Sequence, residues 1–261
     1  MTDPIIQFDQ ERQQRLEAYA VDEAFSALSR TWLQESMQRK YVYNFDWMGR
    51  PIIQYPQDMV AVQDLIWRVR PDVIIETGIA HGGSLVLSAS MLALLDMVEA
   101  IEMGATMDPR VSQRRVIGVD IDIRAHNRAA IETHPMASRI RMIEGSSIDP
   151  TTIARVKAEA AGAGRVMVCL DSMHTHDHVL AELNAYAPLV TSGSYCVVFD
   201  TFVQDMPPGF FADRSWDVGD NPKTAVHQWL AEHPEFEIDA DMERRLQVTV
   251  APHGFLRRYK G

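Results

Sequence analysis

The chain has 261 residues, a length suited to one large domain with an appendage or at most two small domains. With 25 basic against 36 acidic side chains, its formal net charge is −11 and its pI near 5.2, a balance that argues against general binding to nucleic acid or anionic membrane. Apolar residues make up 46% and charged residues 23%, as in ordinary globular enzymes, and no unbroken apolar run approaches the ~20 residues of a membrane span. Cys169 and Cys196 each lie inside an apolar run, which fits buried free thiols in a cytosolic protein better than a disulfide framework. The first residues lack the basic-then-apolar pattern of a secretory leader, so a cytoplasmic location is expected.

In chain order, residues 9–40 space Leu16, Ala20, Phe25, Leu28, Trp32, Leu33 and Met37 as a helix does. Residues 41–56 are aromatic and carry Gly49 and two prolines, as an ordered crossing loop would; the Gly49-Arg50-Pro51 motif within it has no evident physical reading. Residues 1–56 are thus expected to form an N-terminal helical appendage and crossing segment, with one Rossmann-like domain over 57–261. That domain opens on an amphipathic helix at 57–70. Strands are expected at 73–76, 116–120, 140–144, 166–171 and 195–200, separated by helices at 84–103, 124–132, 151–161 and 178–187. Such alternation specifies an α/β fold with a doubly wound, mostly parallel sheet covered on both faces. At the end of the chain, apolar segments 236–238 and 246–252 are joined by too few residues for a parallel crossover and are expected to pair as an antiparallel hairpin.

The first strand runs into Glu76-Thr77-Gly78-Ile79-Ala80-His81-Gly82-Gly83-Ser84, a strand opening through glycine into a helix. That is how α/β proteins build a nucleotide-cofactor site. Glu76 precedes the first glycine and would repel a pyrophosphate, so the spacing Glu76-x-Gly78-x-x-x-Gly82 suits a cationic, hydroxyl-bearing ligand such as S-adenosylmethionine (SAM) better. Thr77 and Ser84 belong to the same candidate cofactor turn. Every expected parallel strand ends in a carboxylate: Glu76, Asp120, Glu144, Asp171 and Asp200. Ligands of open α/β sheets bind beyond these carboxyl ends, where carboxylates are costly unless solvated or paired with a cation.

Asp120 can accept both hydroxyls of a ribose, with Asp122 as its rival or as a helix cap. After the third strand, Gly145 allows close backbone approach and Ser146 offers a hydroxyl to an adenine edge, while Ser147 or Asp149 before Pro150 equally starts a helix. Asp171 and Asp200 on neighbouring strand ends suit one hard divalent ion such as Mg²⁺. His174, three residues beyond Asp171, is the candidate base; an ion lowers the pKa of a bound hydroxyl, and imidazole takes such a proton near neutral pH. A competing reading uses His174, His176 and His178 as ligands of a redox metal in a hydroxylase, and a third keeps a non-catalytic SAM-binding relative in view.

With these residues assembled, the chain resembles the cephalosporin hydroxylase or rhamnosyl O-methyltransferase family. The resemblance runs over about residues 40–258, through Trp47-Met-Gly-Arg-Pro-Ile-Ile-Gln54, the 75–84 turn, Gly118-Val-Asp-Ile-Asp-Ile-Arg124, Glu144-Gly-Ser-Ser147, Leu170-Asp-Ser-Met-His-Thr-His176 and Asn221-Pro-Lys-Thr-Ala225. It implies a class I SAM-dependent methyltransferase fold, often Mg²⁺-dependent and oligomeric, with a small molecule or glycan as methyl acceptor. More distantly, the arrangement is similar to catechol-type and sugar O-methyltransferases, which hold the ion with an Asp ending strand four and an Asp-Asp or Asp-Asn pair ending strand five. By that likeness Asp171 is a ligand also close to the cofactor, and Asp200 the second ligand; Thr201 stands where the third would be, a departure from the pattern. The aromatic, glycine-rich residues 204–224 follow strand five and are expected over the pocket as a lid, a surface loop or a subunit contact; Phe210 and Trp216 suit stacking on an acceptor, and Arg214 and Lys223 an acidic one. The aromatic N-terminal segment favours a homo-oligomer.

Overall fold

The computed structural model describes residues 3–259. Two helices, α1 (Pro4–Tyr19) and α2 (Glu23–Gln38), open the chain, so the single helical pattern of 9–40 is broken at residues 20–22. Asp22 causes the break by capping α2, its side chain accepting the Phe25 N–H at 2.9 Å. A small antiparallel hairpin follows, β1 (Phe45–Trp47) and β2 (Arg50–Ile52). Its two turn residues, Met48 and Gly49, both have positive φ (47° and 81°), the requirement of a type I′ hairpin turn, and this gives the Gly49-Arg50-Pro51 motif its place in the fold.

After α3 (Pro56–Val69) the alternation begins: β3 (Val73–Thr77), α4 (Gly83–Met103), β4 (Arg115–Asp120), α5 (Ala125–Glu132), β5 (Ile140–Glu144), α6 (Pro150–Ala160), β6 (Val166–Leu170), α7 (His176–Tyr186) and β7 (Tyr195–Val198). Then come α8 (Pro222–Leu230), β8 (Phe236–Ile238), α9 (Ala240–Leu246) and β9 (Phe255–Arg258). The seven-stranded sheet has the order β5-β4-β3-β6-β7-β9-β8, parallel except for β9, which pairs antiparallel with both β7 and β8. This is the doubly wound sheet with an antiparallel C-terminal pair that the sequence indicates. The second strand of that pair lies at Phe255–Arg258, not at 246–252. Residues 240–246 are instead a helix capped by Asp239, and the apolar spacing of 246–252 reflects burial of Val250 and Ala251. There Asp58 of α3 holds the chain, accepting from the Thr249 hydroxyl and from the Val250 N–H at 3.0 Å.

Apolar cores lie on both faces of the sheet. One packs β-strand side chains such as Ile74, Val116 and Met167 against α3, α4 and the N-terminal hairpin; the other packs Ile75, Ile117 and Val168 against α6, α7 and α8. Helix α4, at 21 residues and mean hydropathy 1.8, is the one described helix long and apolar enough to cross a membrane. Here it is a core helix: Leu85, Val86, Leu87, Leu92 and Leu95 are buried, and Asp96 and Glu99 hold Arg114 at 2.5 Å each. Strand order reverses between β3 and β6, which opens a crevice at their carboxyl ends.

Candidate functional site

Chain geometry in the glycine turn is fixed from several sides. Gly78 has φ 89°, and a Cβ there would lie 2.0 Å from the Asp171 carbonyl oxygen, so glycine is required for the close approach of β3 and β6. Gly82 has φ 83° and caps α4, with the Ile131 side chain filling the space a Cβ would need. Glu76 is buried; Ser88 Oγ donates to its Oε1 at 2.5 Å, while Oε2 has no partner. Burial pushes its carboxyl up to about 6 despite the hydrogen bond from Ser88. An unpartnered buried carboxylate oxygen at the base of the turn suits a cationic ligand group.

Beyond the sheet lies a cleft of about 490 Å³ in which Gly78 and Ser84 meet Asp171, His174 and Asp200. The ligand atoms of Asp171, His174 and Asp200 lie within 4.8 Å of one another, and His174 Nε2 is 3.2 Å from Asp200 Oδ2. Burial, then the neighbouring Asp200 and Glu76, pushes the Asp171 carboxyl well above the usual carboxylate range; burial raises Asp200 too, against the pull of His174 and Arg214. Two carboxylates that resist ionising together form a place where a divalent cation relieves mutual repulsion. The Asp200 backbone is left-handed (φ 56°), which turns its side chain out of the strand direction.

The other sequence candidates lie around this centre. Glu76 and Thr77 line a narrow recess behind Gly78, Ser84 and Asp171. Asp120 serves the turn itself: its Oδ2 accepts the N–H groups of Ile79 (2.8 Å) and Ala80 (3.3 Å), and its Oδ1 that of Asp122 (3.2 Å). Asp122 is exposed, and the α5 cap position is Arg124, with no side-chain capping bond. Gly145 has φ 150° and abuts Thr152, Ser146 is half-buried beside it, and neither lines the cleft. Asp149, by contrast, caps α6. Thr201 is fully buried with its hydroxyl unpartnered and also does not line the cleft.

The three histidines diverge, so they do not form one redox-metal site. His174 faces the cleft; His176 contacts Thr224 (2.8 Å) and Gln228 (2.9 Å); His178 contacts Ser147 (3.0 Å) and Ser172 (3.2 Å). The aromatic loop does cover the cleft. Trp216 meets the His174 ring edge-on at 4.8 Å, Arg214 lies 5.3 Å over the Trp216 ring, and Phe210 and Phe211 complete the wall. Lys223, in contrast, is turned away to Asp205 at 2.6 Å. The opposite wall comes from the N-terminal segment, through Lys40, Tyr43, Ile52 and buried Gln54, residues given no role from sequence because only the tertiary packing of this segment places them at the cleft.

Known proteins are similar to this chain in sequence and in fold. Two curated relatives are the rhamnosyl O-methyltransferase of Mycobacterium bovis (strain BCG / Pasteur 1173P2), 29% identical over 86% of this chain and 84% of that protein, and that of Mycobacterium leprae (strain TN), 29% identical over 87% and 90%. In fold the chain is similar to a solved structure described as "cmcI-D160 Mg-SAM", with a TM-score of 0.54 at 18% identity over 84% of this chain and 78% of that one. The family described as "Rhamnosyl O-methyltransferase/CmcI" matches residues 39–259, and this chain belongs to it.

Proposed function

We propose that this chain, a SAM-dependent O-methyltransferase by family, methylates a hydroxyl of a sugar or sugar-bearing small molecule, with His174 as the base. The observation that carries the reading is one cleft joining the glycine turn to Asp171, His174 and Asp200. Glu76, Thr77, Gly78, Gly82 and Ser84 would hold SAM, with Asp122 free to reach its ribose while Asp120 secures the turn. Gly145 and Ser146 would stand at its adenine end.

Asp171 and Asp200 are the oxygen donors that fit magnesium, while Thr201, buried outside the cleft lining, is not placed to be a third. When bound, magnesium orients an acceptor hydroxyl and lowers its proton affinity. His174 Nε2 takes the hydroxyl proton, while Asp200 at 3.2 Å stabilises the imidazolium that results. Trp216, Phe210 and Phe211 shield the reacting atoms from water and stack on the acceptor. Positioning and charge placement do most of the catalysis, because methyl transfer asks for little covalent help.

The direct test incubates the protein with methyl-labelled SAM and a panel of rhamnosides and other glycosides, with and without EDTA. Transfer that is lost in EDTA and restored by Mg²⁺ is the expected result. Absence of SAM binding by calorimetry would sink the reading. Two buried free thiols fit a cytoplasmic location. Self-association is also proposed: α1 buries only Leu16 and exposes Ile5, Ile6 and Phe8, too little support for a helix standing alone. Light scattering on the purified protein should give a mass above one chain.

A further inference from the structure

The Ala80–His81 corner of the glycine turn is strained: Ala80 carries a Cβ at φ 46°. A conformation of that kind persists only where surrounding contacts over-determine it. Two of the contacts come from the sheet domain. Asp120 Oδ2 accepts the Ala80 N–H, and Asn127 of α5, itself buried, donates from Nδ2 to the Ala80 carbonyl at 2.9 Å. The third comes from outside it. Arg50, on β2 of the N-terminal hairpin, donates from Nε (2.9 Å) and Nη2 (2.5 Å) to the His81 carbonyl, and from Nη2 to Asn127 Oδ1 at 3.0 Å.

Arg50 makes no ion pair among the described residues, so its guanidinium is directed by neutral oxygens on the turn and on the residue that braces the turn. The hairpin leaves the arginine little choice of position. A Cβ on Gly83 would lie 2.3 Å from the Pro51 carbonyl oxygen, so β2 rests directly on the first residue of α4. Trp47 Nε1 donates to Ser90 Oγ of α4 at 3.0 Å, and the Met48 carbonyl lies 3.1 Å from His134 Nε2. The family match begins at residue 39 and therefore includes this hairpin with the sheet.

We infer that Arg50 is a positioning residue for the cofactor: it locks the His81 carbonyl and Asn127, and thereby holds the turn in its SAM-binding shape before SAM arrives. The hairpin is then a working part of the cofactor site. The inference rests on the reading that this turn binds SAM, and the experiment separates the two. SAM affinity is measured by calorimetry for wild type, Arg50→Ala, Arg50→Lys and Asn127→Ala, with steady-state kinetics and thermal unfolding in parallel.

The expected result for Arg50→Ala is about a tenfold weaker SAM Kd and a matching rise in KM for SAM. kcat at saturating SAM should change by less than twofold, and the unfolding midpoint should be nearly unchanged. Lysine, lacking the fork that serves two oxygens at once, should recover only part of the affinity, and guanidinium ion added at millimolar concentration should restore binding to Arg50→Ala. An unchanged Kd in Arg50→Ala beside a SAM-binding wild type overturns the inference. So does a loss of folding in Arg50→Ala accompanied by normal SAM affinity in Asn127→Ala. A wild type that does not bind SAM overturns the functional reading instead.

Discussion

At Asp200 the chain enters the left-handed region, which aspartate and asparagine tolerate better than other residues bearing a Cβ. Asp200→Asn should therefore keep the fold and the backbone turn while removing the charge; Mg²⁺ stimulation should disappear with a shift in unfolding midpoint smaller than that of Asp200→Ala. At His174, replacement by alanine removes the proposed proton acceptor but no part of the glycine turn. Its kcat should fall by about 10²–10³ with SAM affinity retained, checked by single-turnover kinetics and calorimetry. The meeting of Asp171, Asp200 and His174 is legible in sequence because the central strand ends in this topology open on one crevice, whereas Glu144, on the outer strand, is exposed and pairs with Arg128. The service of Asp120 to the turn is not legible, since ribose binding and backbone capping ask for the same residue and differ only in where its oxygens point. The Arg50 contact is equally hidden, because it joins residues 31 apart, with α3 and β3 between them, and no local pattern states where β2 rests.

Among elements, the segment between β7 and α8 supplies the aromatic wall of the cleft. Its base is fastened: the Asn221 Nδ2 donates to Gln204 Oε1 at 2.5 Å, and Asp220 Oδ1 accepts the His176 N–H at 2.7 Å. Its aromatic middle faces the cleft, beside His174. Trp216→Ala should accordingly raise KM for the acceptor several-fold and leave SAM affinity unchanged, a separation that paired initial-rate series would show. The parallel strands were readable because apolar runs bounded by acids and glycines have few other meanings. The last strand was misplaced because residues 246–252 are apolar for a different reason, burial beside Asp58, and because a seven-residue helix fits between β8 and β9.

For the whole molecule, buried acids set the dependence of stability on pH. Burial pushes Asp58 up to about 7 and Glu76 up to about 6, from ordinary values of 3.8 and 4.5. The folded chain therefore holds these protons at pH values where the unfolded chain has released them. Their contribution is complete below about pH 4 and is lost as pH rises through 6 to 7, an effect on the order of a few kcal/mol. The urea midpoint of the ligand-free protein should fall between pH 5 and pH 8, and Asp58→Asn, which leaves a neutral group facing Thr249 and Val250, should flatten the fall. The doubly wound order follows from strand–helix alternation, but the depth at which an acid such as Asp58 lies depends on how α3 meets the chain before β9, which no local pattern records.

The edge-on contact of Trp216 with His174 has an optical consequence. An excited indole is quenched by an adjacent protonated imidazole, so the emission of Trp216 reports whether the base carries a proton. Four other tryptophans contribute background, and one of them, Trp229, stacks on His233 at 3.9 Å, so the signal is the difference between wild type and Trp216→Phe. Followed during turnover, that difference would time the arrival of the acceptor proton on His174 without a label.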